Sequence, residues 1–584
     1  MTMNTTSKQP WRGRLGAAAA GLAGALSAAY GCSGTQSTAT SERRDASVPD
    51  AEAVYDAPAS DVAMGAVTDA MLQAVGVPPT ISNLTVTPNP NSVLSATLSF
   101  TTNVPTTSKV LVTNTGDGGA ANTFTIGPST SLVTSHTIPI LGMRASSQFR
   151  IDVTASDAGA QTAMGSATFS TPALPAVIPP ITIATNDSSK TSPGFTLMTL
   201  WPWTGSPAAG VSPAGSSIVA LDAEGQVVWY YVPASKPRVF LPTGPKKLAN
   251  GDIVFVTGNN GWAEIDMLGN VVRSYAAASM GLESMHHEVT PEANGAEYLG
   301  LSTELRDVSG YPGLVGTATY PVVGDVAVEF DADGGVHGRW SAFDMLDPKR
   351  VGNSTLFNTP FWNMQYPDAG ATKDWTHGNS IIEDPRDGTI IVSSRTQSWV
   401  YKFARGDGGA PQLLWKLGEG GDFTLTNQDE TFQYGQHALS ILASGNLMMF
   451  DDGNARPAVG GGVSTSFSRA IEYSLDTTKM TATIAWQYRE TPSFYSQFLG
   501  SAYQLPNGNV LICDGGEVAG AALTGITPDN PGALKTARIM EVTHDATPTK
   551  VLEYDVNVGV GSMLSDPTFS GYSVYRAIRI PSLY

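Results

Sequence analysis

The sequence predicts an all-β protein, a six-bladed β-propeller preceded by a small β-sandwich domain. Apolar and polar residues alternate over short runs broken by turns rich in Gly, Asn and Asp, the pattern of strands. A unit of two hairpins recurs six times within residues 191–584. Long helices are scarce, and 61 glycines and 38 prolines in 584 residues suit many tight turns. A chain of this length exceeds one ordinary core, so at least two domains are expected, the propeller forming one large one.

Residues 1–31 read as a lipoprotein-like signal peptide. Lys8, Arg12 and Arg14 precede a small, apolar run over residues 15–29, which leads into Tyr30, Gly31 and Cys32. The run is short and rich in Ala and Gly, which argues against a stable membrane span. The expectation is export, to the periplasm or to an outer-membrane anchor through a lipid on Cys32, with simple signal cleavage as the alternative. Residues 32–77 carry Ser, Thr, Ala, Asp and Glu with few large apolar side chains, the composition of a disordered acidic tether.

Residues 78–178 alternate in the manner of a β-sandwich accessory domain, for example at 81–86, 93–100, 109–112 and 148–153. Their only histidine is His136, and they have no clustered carboxylates. Residues 179–190 form a linker, and 191–584 the propeller. Six hairpins with Asp- or Gly-rich turns lie at 218–229, 263–275, 328–340, 400–415, 470–486 and 539–554. Gly turns leading into apolar strands precede five of them, at 249–256, 293–299, 386–392, 444–450 and 506–512. Two hairpins make a four-stranded blade. Uneven spacing places long insertions in blades three to five. The last strand, near 575–580, is expected to close the ring against the first blade.

The net charge of -18 argues against nucleic acid or an anionic membrane as a partner, and requires a local positive site for an anionic substrate. Cys32 and Cys513 are the only cysteines, so neither a disulfide scaffold nor a Cys-rich metal site is expected. The seven histidines carry more information. His287 lies eight residues before Gly295, His437 eight before Gly445, and His377 eleven before Gly388 with a small insertion between. Equivalent positions in a radial repeat converge on the axis, so these three are expected to share a pocket. His286 is the rival of His287, and strand alternation points the two to opposite faces. Arg395, ending a strand in the blade of His377, could clamp an oxyanion with its planar fork. Asn379, two residues beyond His377, could donate to an anion or orient an imidazole. Three histidines could hold zinc with an open position, with Glu288, Asp374, Asp451 and Asp452 nearby, but Arg395 would repel a cation. The reading carries no metal and no cofactor. Cys513 reads as a small buried residue.

Four segments in this order, MHHEV at 285–289, DWTHGNSI at 374–381, SSRTQ at 393–397 and GQHAL at 435–439, resemble the bacterial aryl-sulfate sulfotransferase family. The resemblance covers roughly two thirds of the chain. It implies a six-bladed propeller that moves a sulfuryl group from an aryl sulfate donor to a phenolic acceptor. The route is ping-pong through a sulfated histidine, without a nucleotide donor. Carried over, it makes His437 the nucleophile, His377, Arg395 and Asn379 the sulfate-holding residues, and His287 the remaining active-site histidine and expected proton carrier. Phe357, Trp362, Trp375 or Phe494 would stack on substrate rings. Glu288 stands where the family commonly has Asp, which bears on the orientation of His287. A hydrolase using the same pocket and a non-catalytic binding propeller are the alternatives. Oligomeric state is left open.

Overall fold

The computed structural model describes residues 76–584 apart from 117–121, 204–214, 234–240, 294, 313–318, 353–354, 360, 407–409, 460–465, 520–532 and 557–568. The expected leader, Cys32 and the tether to residue 75 lie outside the described residues, as does the side chain of Phe357. No described helix is long and apolar enough to cross a membrane.

The sandwich is organised by one long strand, Ala96–Asn114, in which every second residue is buried over most of its length. Its first half pairs with Ile81–Pro88 and Val133–Ile140. Its second half pairs with Phe124–Ile126 and Gln148–Ser156. The strict alternation turns Leu98, Phe100, Val110 and Val112 inward against Phe149, Ile151 and Val153. Arg144 fastens this domain to blade 1 through Asp222 at 2.6 Å.

Six sheets follow in chain order, as the repeated hairpins predicted. In blades 2, 3, 4 and 6 the first strand lies innermost and the sequence then runs outward; blade 5 does the same from His437–Ile441, with the two-residue strand Thr424–Leu425 before it added on the outer side. The middle strands are buried on both faces, as in Ile253–Thr257, Ile390–Ser394 and Leu447–Asp451, because neighbouring blades cover them. The outer strand of blade 5, Thr481–Tyr488, returns to alternation, burying one face only. Blade 3 carries extra strands, Leu356–Thr359 and Thr372–Asp374, and the latter pairs in parallel with Thr319–Asp331.

The ring is closed twice. Ala577–Ile580 pairs with Phe195–Pro202 and supplies the inner strand of blade 1, as expected for the chain's last strand. Ile181–Asn186, just before the propeller repeats, pairs with the outer edge of blade 6 at Lys550–Val556. Both closures use backbone ladders, so neither sheet edge is left open there.

A recurrent irregularity marks the inner strands. In blades 2 to 5 the pairing register shifts near the strand start. A residue of left-handed conformation stands at or just before each shift: Gly244 (φ 59°), His287 (φ 60°), His377 (φ 45°) and Ala438 (φ 53°). Leu499 (φ 67°) takes the same conformation just before the inner strand of blade 6. Such bulges re-aim side chains near active sites.

Candidate active site

The bulges bring His287, His377 and His437 to one place on the axis. The rings of His287 and His377 stand 4.8 Å apart, edge to face. The charges of His377 and His437 each disfavour protonation of His287. His377 is 8% exposed and His437 2%. Their places in the repeat differ by one residue. His287 and His377 are themselves the left-handed residues, whereas His437 precedes the left-handed Ala438. Equal spacing to the Gly turns therefore hid a bulge.

Each imidazole is tied through Nδ1. His437 Nδ1 lies 2.7 Å from Asp452 Oδ2. His377 Nδ1 lies 2.5 Å from Asp374 Oδ2, and Trp362 Nε1 donates to the other oxygen at 3.0 Å. His287 Nδ1 meets His286 Nδ1 at 2.7 Å. His286 Nε2 lies 3.2 Å from the carbonyl oxygen of Ser302 and 3.1 Å from Asp325 Oδ1. A carbonyl only accepts, so His286 donates from Nε2, and as a neutral imidazole it accepts at Nδ1. His287 then donates from Nδ1. His286 is thus not a rival of His287 but the residue that fixes its tautomer. In all three site histidines the bound nitrogen is Nδ1, which leaves Nε2 for chemistry.

Gly378 makes part of this possible. A Cβ there would sit 3.0 Å from the Asp325 carboxyl, to which its N–H donates at 2.6 Å.

Burial pushes His437 well below the ordinary histidine range, and Arg395, His377 and Arg576 push it further. Burial does the same to His287, with His377, His286, His437 and Arg576 adding to it. Both imidazoles are therefore neutral at pH 7. Burial raises the Asp374 carboxyl, but His377, Trp362 and Arg395 outweigh it and hold Asp374 below its usual value. Burial also lifts Asp452, with Asp451 and Asp514 behind it and Arg395 opposing. One hydrogen bond thus joins a neutral imidazole to a carboxyl whose ionisation burial disfavours.

Arg395 leaves its strand with the backbone N–H donating to His377 O at 3.2 Å. Its guanidinium is 3% exposed and donates to Gln497 O at 3.0 Å and Asn454 Oδ1 at 3.3 Å. Both Asp452 and Asp374 lie close enough to favour its charge. Asn379 plays a different part from the other four. It is fully buried, and its amide donates to Gln436 O at 2.8 Å, holding the residue before His437.

The floor of the site was not foreseen. Arg576, on the closing C-terminal segment, is 1% exposed and pairs with Glu288 while donating to Asn379 O at 3.1 Å. Glu288 also accepts from Ser380 Oγ at 2.6 Å, Ile381 N at 2.8 Å and Lys246 at 2.7 Å. Burial raises its carboxyl, yet Arg576, Lys246 and these hydrogen bonds outweigh burial and hold it at about 2. Glu288 does not reach His287. One carboxylate joins blades 1, 2, 3 and 4 at the axis.

Three of the four expected stacking residues are not available to a substrate, the fourth, Phe357, lying outside the described side chains. Trp362 and Trp375 are fully buried and Phe494 nearly so, Trp362 being committed to Asp374. Phe361 is 41% exposed, with its ring 5.1 Å from that of His377. Asp374, Asp451 and Asp452 face histidine or arginine partners. Among the described residues one group of three acidic side chains comes within metal-binding reach, Glu292, Glu297 and Glu329, and Arg405 pairs with Glu292 and Glu329.

Residues 182–559 match the arylsulfotransferase (ASST) family, and residues 83–172 match the arylsulfotransferase Ig-like domain. The chain belongs to the arylsulfotransferase family. Arylsulfate sulfotransferase AssT of Escherichia coli O6:H1 is 26% identical over 321 residues, which are 47% of this chain and 52% of that protein. Arylsulfate sulfotransferase AssT of Lelliottia amnigena is 26% identical over 339 residues, 48% of this chain and 54% of that protein. The chain spans about half the length of these curated relatives. Among solved structures, the periplasmic gluconolactonase PpgL of Pseudomonas aeruginosa is similar with a TM-score of 0.31 and 12% identity, covering 65% of this chain and 99% of that one.

Proposed function

We propose that this family member is an aryl-sulfate sulfotransferase that works by a ping-pong route through a sulfated His437. The observation that carries the reading is the convergence of three imidazoles, each tied at Nδ1, beside the buried cation of Arg395.

In the first half-reaction Nε2 of neutral His437 attacks sulfur, the N–S bond forms, and the S–O bond to the aryl group breaks. Arg395 and the imidazole of His377 stabilise charge on the sulfuryl oxygens, in a buried place where such contacts are strong. The ester arrives with a negative charge that offsets Arg395 and Arg576, so His287 takes up a proton with the donor and passes it to the departing phenolate. In the second half-reaction the acceptor phenol gives its proton to His287. Its oxygen attacks sulfur, and the N–S bond breaks. Asp452 holds His437 in one tautomer throughout, and Asp374 does so for His377. Asn379 acts through the backbone beside His437. The exposed face of Phe361 offers a platform for the aryl ring.

We also take the protein to be exported, either anchored through a lipid on Cys32 or released after cleavage. The basic residues, apolar run and Gly31–Cys32 junction support this. The residue ranges read from the sequence remain our division of the chain: 1–31 leader, 32–77 tether, 78–178 sandwich, 179–190 linker and 191–584 catalytic propeller.

The test is mass analysis after brief exposure to an aryl sulfate, with and without phenol. The expected result is a sulfuryl adduct on His437 that phenol discharges. Turnover with no adduct on any histidine would sink the mechanism. Discharge at the same rate without phenol would make the protein a hydrolase.

A further inference from the structure

The inner strands run in one direction along the axis. Gly244 approaches His287 O, Glu288 bonds Ser380 and Ile381, and Asn379 bonds Gln436, so successive blades keep step. The histidines stand at the strand starts. The turns that follow the strands therefore lie at the other end of the central channel. There the protein has a cavity of about 610 Å³, a size typical of small-molecule sites.

Four cations line this cavity, Lys246, Lys247, Arg576 and Arg579, and no Asp or Glu side chain among the described residues does. Glu288 and Glu541 stand behind the wall. Glu288 serves both Lys246 and Arg576, and Glu541 meets Arg579 at 2.9 Å. Asp252 lies close enough to Lys247 to favour its charge, so the wall carries four positive charges against three negative, in a chain of net charge -18. Lys247 donates to a carbonyl, Gly251 O, at 2.7 Å and makes no ion pair among the described residues. The side chains of Arg576 and Arg579 are 1% and 4% exposed, and the Nε atom of each is buried without a hydrogen-bond partner among the described residues. Unsatisfied buried donors on cations are costly unless an acceptor arrives. Between the cations, Tyr503, Ile578 and Pro581 supply flat or apolar wall.

We infer that this cavity is a second binding site, for an aromatic oxyanion such as a sulfate monoester or sulfonate, with its acidic group on Lys247 and the arginines and its ring against Tyr503, Ile578 and Pro581. Arg576 belongs to both sites. It lines this cavity and also floors the histidine cluster, so a charge bound here is felt at His287 and His437. The inference does not require sulfuryl transfer.

The probe is benzenesulfonate, whose C–S bond cannot serve a transfer to His437, titrated calorimetrically into the full chain. Two equivalents are expected. Lys247→Ala weakens one of them at least about 10-fold, Lys247→Arg restores it, and Arg395→Ala removes the other. A single equivalent that Arg395→Ala abolishes and Lys247→Ala leaves alone overturns the inference. Inorganic sulfate binding the Lys247-dependent site as tightly as benzenesulfonate overturns the aromatic assignment. A thermal melt of each variant separates lost binding from lost fold. A protein without transferase activity that still shows Lys247-dependent binding leaves this inference standing and removes only the proposed function.

Discussion

His136 in the sandwich and His437 on the propeller axis are both buried imidazoles whose protonation is suppressed, yet only one sits among reactive neighbours. His136 stacks on Phe100 with ring centroids 4.2 Å apart and bonds Thr106 Oγ1 at 3.1 Å. Burial lowers its pKa, and a backbone hydrogen bond from the 133 region opposes this; no charged side chain takes part. Burial is also the leading cause at His437, but Arg395, His377 and Arg576 add to it, and Asp452 holds Nδ1. A buried neutral histidine is therefore ordinary. Convergence with cations, and one ring nitrogen kept for chemistry, distinguish the axis.

The comparison breaks most sharply at His437 itself. His437→Ala should lower kcat at least about 10⁴-fold, as removal of a covalent nucleophile does, measured as phenol-dependent turnover. A loss under about tenfold would put His437 on the same footing as His136. The next effect is on stability. Glu288 falls from its ordinary 4.5 to about 2 on folding. A carboxyl depressed in this way stabilises the fold fully above its unfolded pKa and loses that contribution as pH falls from about 5 toward 2. The shift corresponds to about 3 kcal/mol. Glu288→Gln, which leaves Arg576 and Lys246 facing a neutral amide, should cost a similar amount in urea unfolding at pH 7 and flatten the acid side of the stability curve.

A third effect separates the two histidines by their neighbours. His437 must be neutral to attack and titrates below the ordinary histidine value, so the acid limb of kcat/KM should lie below pH 6.5, while proton uptake by His287 with the donor makes kcat/KM decline as pH rises. Arg576→Met removes a cation that opposes the imidazolium, and should move that acid limb toward neutral pH. An unmoved limb would show that Arg576 has no part in setting it. The smallest effect belongs to the sandwich. His136→Phe gives up one hydrogen bond while keeping the stack on Phe100, for about 1 kcal/mol in thermal unfolding, with turnover unchanged.

The propeller could be read from the sequence because each blade repeats a Gly turn and an acidic hairpin, signals local to a few residues. The three histidines and Arg395 were legible for a related reason, since the repeat register carries the symmetry of the ring. Three things were not. The bulges at His287 and just after His377 shift the register by two residues and by one, and leave no local signature. The pairing of His286 with His287 depends on Ser302, which comes from the next strand. Arg576 lies 288 residues beyond Glu288 and meets it only because the ring closes. The aromatic residues failed for a simpler reason. Trp362, Trp375 and Phe494 are large and apolar, and such side chains go to the core unless something holds them at the surface. Phe361, next to one of them, escaped notice.

The left-handed residue at the inner strand gives blades 2 to 5 one addressable position each. Read around the axis from blade 2 to blade 5, the occupants are Gly, His, His and Ala. Glycine adopts that conformation freely, whereas a histidine there holds a conformation that ordinary side chains rarely take. Engineering meets this asymmetry directly. A new side chain cannot simply be written at 244, because its Cβ would stand 2.8 Å from the His287 carbonyl oxygen. The vacant address is kept vacant by its neighbour's backbone, so new chemistry on this ring has to be introduced at 438, where the position already accommodates a Cβ beside His437.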